Sequence, residues 1–144
     1  MGMGCHARDS VVVMNDRRTP LFCDAGLAER IEGVERELIE AAARAAHDRT
    51  SNGRGFLIPL AGGLASFADD DSPYNKVVGL GFGGVPSAAE LDEIERAYAA
   101  CVAPVQVELP HLADPEIGRQ LTAEVVPGVV EFEVAVPRLT PAFG

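Results

Sequence analysis

Gly79, Gly81, Gly83 and Gly84 stand between an apolar run and a helical pattern, and this juncture constrains the fold more than any other stretch. The segment Asn75–Leu109 reads NKVVGLGFGG, then VPSAAELDEIERAYAACVAP, then VQVEL. The apolar run predicts a strand over Lys76–Phe82 that breaks into a glycine turn. Ser87 and Glu90 form a Ser-x-x-Glu capping box, so a helix starts after Pro86. Leu91, Ile94, Tyr98 and Cys101 give that helix a buried face, and Pro104 ends the crossover. Val105, Val107 and Leu109 then alternate with Gln106 and Glu108, as in a strand. Two strands joined through a helix pair in parallel by a right-handed crossover. An α/β fold follows.

The rest of the chain is read around that unit. Asp24 opens a long helix ending before Arg49–Gly55. Leu27, Ile31, Val34, Leu38, Ala41 and Ala45 recur at steps of four and three as one apolar stripe. Glu29, Arg30, Glu32, Glu35, Arg36 and Glu40 fall mostly outside it. Gly55–Leu60 and Leu64–Ala68 are apolar and separated by Ala61-Gly62-Gly63, an antiparallel hairpin signal. Asp114-Pro115-Glu116 starts a third helix, with Asp114 as cap and Ile117 and Leu121 as core contacts. Val129–Val136 alternates as a final strand with Val130, Phe132, Val134 and Val136 on one face. The expected architecture is an α+β mixed sheet with helices on both faces. It forms one domain over residues 21–138, between an N-terminal arm (1–20) and a tail (139–144).

Composition narrows the partners. With 22 acids against 12 bases the net charge is −10, which argues against nucleic acid and anionic membranes. The apolar run Val11–Met14 is too short for a secretory leader, and a cytoplasmic location is the default expectation. Cys5, Cys23 and Cys101 form no CxxC pair, and His6, His47 and His111 are isolated, so no metal site is expected. Asp69-Asp70-Asp71 lacks the spacing of a calcium loop and reads as a solvated turn.

Gly79-x-Gly81-x-x-Gly84 matches the dinucleotide-binding pattern, with Glu108 where a ribose-binding acid would stand. In that pattern the helix begins at the second glycine, so that backbone N–H groups point at a pyrophosphate. Here the capping box delays the helix to Ser87, and Pro86 removes one N–H.

The element order, together with FLIPLAGGLASFA, YNKVVGLGFGGVPSAAELDEIERAYAA and APVQVELPHLADPEIGRQLTA, resembles the GNAT N-acetyltransferase family over roughly residues 20–138. The likeness is closest to the degenerate N-terminal domain of two-domain members. It implies a GNAT-like sheet. If the chain is active, it also implies acetyl-CoA as cofactor and an amine as acceptor. The cofactor would lie along Val78, Leu80, Gly81 and Phe82, with its pyrophosphate at Gly83, Gly84 and Ser87. Glu108 would be the candidate general base. The family's loop, Arg/Gln-x-x-Gly-x-Gly/Ala, is replaced by Gly83-Gly84-Val85-Pro86-Ser87-Ala88, and Glu90, Asp92 and Glu93 load the helix start with negative charge. Each acid disfavours a bound diphosphate by roughly 0.3–1 kcal/mol. The tyrosine that often follows the last helix is missing from Glu124–Gly128. The expectation is a domain weak or inert in acetyl transfer alone, binding a small ligand or a partner. The alternatives are an active N-acetyltransferase and an interaction module that dimerises through the exposed edge of the last strand.

Overall fold

In the computed structural model, residues 22–123 and the backbone of Val130–Glu133 are described. The order is α1 (Ala25–Thr50), β1 (Phe56–Leu60), β2 (Gly63–Phe67), β3 (Lys76–Val78), α2 (Ala88–Ala100), β4 (Val105–Glu108), α3 (Pro115–Ala123) and β5 (Val130–Glu133). The strands form one mixed sheet in sequential order. β1 pairs antiparallel with β2 and β2 with β3, whereas β3–β4 and β4–β5 are parallel. The expected hairpin and the expected parallel crossover are therefore both present. The expected N-terminal arm, the tail and the facing of the last strand's side chains lie outside the described residues.

Strand β3 is shorter than Lys76–Phe82. It stops at Val78, because Gly79 and Gly81 adopt φ of 75° and 105°, which no extended strand accommodates. Its only register pair with β4 is Val77 with Val107, so the two parallel strands meet over a short length. α1 runs on to Thr50, past the expected stop before Arg49, and Ser51 ends it in a left-handed conformation with its N–H bonded to the His47 carbonyl.

Side chains alternate across the strands and sort into separate cores. Leu60, Ala65, Phe67, Val77 and Val107 pack with Leu91, Ile94, Tyr98 and Cys101 of the α2 region and Ile117 of α3. The Tyr98 ring meets Phe56 edge-on at 4.9 Å between centroids, and its hydroxyl donates to the Ser66 carbonyl at 2.8 Å. Leu64 and Val78, the neighbouring strand positions, pack with Ile39 of α1. Ala43 and Ala46 close on Ala68, where small side chains let helix and strand approach. His47 secures the same end, donating from Nε2 to the Phe67 carbonyl at 2.8 Å.

α1 corrects a natural expectation about its apolar stripe. Leu27, Ile31, Val34 and Leu38 are 36%, 53%, 68% and 60% exposed. The face that meets the sheet is instead Ala28, Glu32, Glu35, Arg36, Ile39, Ala43 and Ala46, all buried or half-buried. The reason lies in the sheet, which offers the N-terminal half of α1 a lysine, Lys76, and a glutamate, Glu108, rather than an apolar bed.

Candidate functional site

Two neighbourhoods hold the residues singled out from the sequence. The first is the glycine turn after β3. Val78 and Leu80 are fully buried, so their side chains serve the core. Gly81, with φ of 105°, packs so closely on Ala113 that any side chain there would overlap it. Its carbonyl accepts from the Asp114 N–H at 3.0 Å, which ties the turn to the start of α3. A Cβ on Gly83 would lie 3.0 Å from the Ala61 carbonyl oxygen and from Gly62 Cα. The turn thus rests on the β1–β2 hairpin turn, and glycine is needed there for backbone-on-backbone contact.

The start of α2 closes on itself. Glu90 N–H donates to Ser87 Oγ at 3.2 Å, and Ser87 N–H donates to Glu90 Oε2 at 2.8 Å. The expected capping box is complete. The hydrogen bonds from Ser87 hold the Glu90 carboxyl below its ordinary pKa, so it carries negative charge at the helix N-terminus. Pro86 is buried and its carbonyl accepts from Gln120 Nε2 at 2.8 Å. Ser87, beside the glycine turn, already spends its N–H on the Glu90 carboxylate, and its hydroxyl oxygen accepts from the Glu90 N–H.

The second neighbourhood surrounds Glu108. Lys76 opens β3 and Glu108 closes β4, and their side chains meet at 2.6 Å. Glu35 of α1 reaches the same ammonium at 3.5 Å. Burial raises the Glu35 carboxyl above its usual range, and a hydrogen bond shared with Glu108 raises it further. Burial opposes the Lys76 ammonium, but Glu108 and then Glu35 hold it, and its pKa lies above the ordinary lysine value. Glu32 completes the cluster. Burial and then the field of Glu35 raise its pKa, while the Gly79 backbone N–H works the other way. Glu32 therefore sets a carboxylate at the first turn of the glycine segment. Glu32 Oε2 and Arg36 Nε are buried without a hydrogen-bond partner among the described residues. Glu35 and Glu108 over one lysine can hold and pass a proton, the minimum for acid–base work.

The structure does not merge these neighbourhoods. Among the described residues no hydrogen bond links Glu108 to Gly81, Phe82, Gly83, Gly84 or Ser87, and Glu32 instead accepts from the Gly79 backbone. Sequence reasoning selected Glu108 and missed Glu32, Glu35, Arg36 and Lys76. Two signals mark them. Lys76 and Glu108 alternate with the apolar Val77 and Val107, so they share one face of neighbouring strands. Ala28, Glu32, Glu35, Ile39, Ala43 and Ala46 also form a second stripe at helical spacing, made of small and charged residues.

Among the described residues no group of His, Cys, Asp and Glu could hold a metal ion, and no helix is long and apolar enough to cross a membrane. Compared with protein-family models, with curated proteins and with solved structures, the chain has no significant match.

Proposed function

We propose that the chain is a GNAT-like domain that has lost its grip on acetyl-CoA and acts by binding a partner or small ligand rather than by acetyl transfer. The observation that carries this reading is the helix start beside the glycine turn: Gly83 packs on Gly62, and the Glu90 carboxylate holds the Ser87 N–H. A diphosphate at that position would have to displace the Glu90 carboxylate from the Ser87 N–H. The fold part of the proposal is supported by the mixed sheet with its strand–turn–helix–strand centre. It is supported equally by the separate cores that α1 makes on one side of the strands and α2 with α3 on the other, as a sheet with helices on both faces requires. Isothermal titration with acetyl-CoA and with CoA tests it. No heat of binding at micromolar concentrations is expected, and micromolar affinity for either ligand would overturn the reading.

The enzyme reading retains one supporting observation, the Glu35–Glu108 carboxyl pair on Lys76. In an active N-acetyltransferase, Glu108 would take the proton of the acceptor amine and Glu35 would share it. A thiol-release screen over amines separates the two readings, because only the enzyme reading expects turnover that Glu108→Gln abolishes.

A further inference from the structure

The four large apolar residues that α1 turns to solvent are spaced as a seam. Leu27, Ile31, Val34 and Leu38 follow the alternating four-three step of a heptad, with Ile31 and Leu38 at a and Leu27 and Val34 at d. The seam lies on the side of α1 away from Ile39, Ala43 and Ala46, so it is not part of the domain's own core. A regular seam on a helix already docked by a different face is a surface for another helix.

The geometry points to that helix being α1 of a second copy, packed antiparallel. Place a two-fold axis beside the peptide that joins Glu32 to Gly33. Leu27 then faces Leu38 of the partner subunit, and Ile31 faces Val34 of the partner subunit. The same pairs repeat in reverse across the axis. Every large residue of the seam is used once and the surface is complementary to itself, as an isologous interface demands. Antiparallel pairing also brings the g positions of the two helices together. In this register Arg30 lies alongside Glu37 of the partner subunit, and Glu37 alongside Arg30 of the partner subunit. Both residues are exposed in the single chain and opposite in charge. A parallel pairing would instead bring Arg30 toward Glu35 of the partner subunit, yet Glu35 already serves Lys76. The inference holds whether or not acetyl-CoA binds, and it places association on α1 rather than on the β5 edge.

Sedimentation velocity over a dilution series tests it with four proteins. The parent chain is expected to be a concentration-dependent dimer. Ile31→Glu with Val34→Glu is expected to be monomeric with unchanged circular dichroism, since both sites are exposed. Arg30→Glu alone puts glutamate against Glu37 at both ends of the seam and is expected to weaken the dimer roughly tenfold. Arg30→Glu with Glu37→Arg restores the opposed charges and is expected to recover parental affinity. A parent that stays monomeric at every concentration overturns the proposal, and that is the outcome if residues 1–21 cover the seam. A dimer that survives Ile31→Glu with Val34→Glu overturns it in favour of the β5 edge. A charge swap that fails to rescue overturns the antiparallel register.

Discussion

α1 and α2 carry equally regular apolar stripes and use them in opposite ways. α2 buries its stripe: Ile94 and Tyr98 are 2% and 0% exposed. α1 shows its stripe to solvent and lays Glu32, Glu35 and Arg36 over the sheet, with Ile39 and alanines completing the contact. Helical period reports that a helix has two unlike faces. Which face turns inward depends on what the opposing layer presents. Beneath α2 the strands present Ala65, Phe67, Val77 and Val107, a bed that only an apolar stripe fits. Beneath the first half of α1 they present Lys76 and Glu108, whose burial would be unfavourable without opposing charges.

The largest effect should come from emptying the α2 side. Tyr98 fills its core, stacks edge-on against Phe56 and satisfies the Ser66 carbonyl. Tyr98→Ala should cost about 3–5 kcal/mol in urea unfolding, as for other large aromatic truncations. A loss near that of a surface change would mean that the α2 stripe is not the main core.

An intermediate effect should come from the charged face of α1, and pH reveals its sign. Burial and Glu35 raise the Glu32 carboxyl above its ordinary value of 4.5, so the folded chain holds that proton more tightly than the unfolded chain does. The contribution of Glu32 is therefore most favourable below 4.5, declines as pH rises through the raised pKa and then levels off. Glu35 shifts in the same direction. Glu32→Gln should remove its share of the decline, so the variant should gain stability relative to the parent as pH rises from the acidic side towards neutral. Urea midpoints over that range check this. Parallel curves for the two proteins would place Glu32 in solvent and return α1 to the ordinary orientation.

The same comparison shows what could be read in the sequence. The elements around α2 were legible because each signal was local: the capping box at Ser87, the glycines after Val78, and the Asp114-Pro115 start of α3. The antiparallel hairpin and the parallel crossover follow from short-range turn chemistry and connection length. The orientation of α1 was not legible, because it depends on Lys76 and Glu108, which stand 32 residues apart and meet only through β3–β4 pairing. The glycine turn was legible as a turn. Its occupation by Ala61, Gly62 and Ala113 was not, since those contacts are made between segments distant in the chain.

The smallest effect should come from Leu38, and its buried neighbour Ile39 supplies the contrast. Ile39 is 1% exposed and packs on Leu64 and Val78, whereas Leu38 is 60% exposed. Ile39→Ala should cost about 2–5 kcal/mol, the range for a buried aliphatic side chain. Leu38→Ser, measured dilute enough for the chain to be monomeric, should fall within about 0.5 kcal/mol of the parent, as for an ordinary surface site. At high concentration the order of interest reverses. Leu38→Ser should then lose the protection that association gives the folded state, whereas Ile39→Ala should keep it, because mass action stabilises only a chain that still forms the contact. If Leu38→Ser costs as much as Ile39→Ala at every concentration, the seam is covered within the chain itself, and the contrast between the two helices disappears.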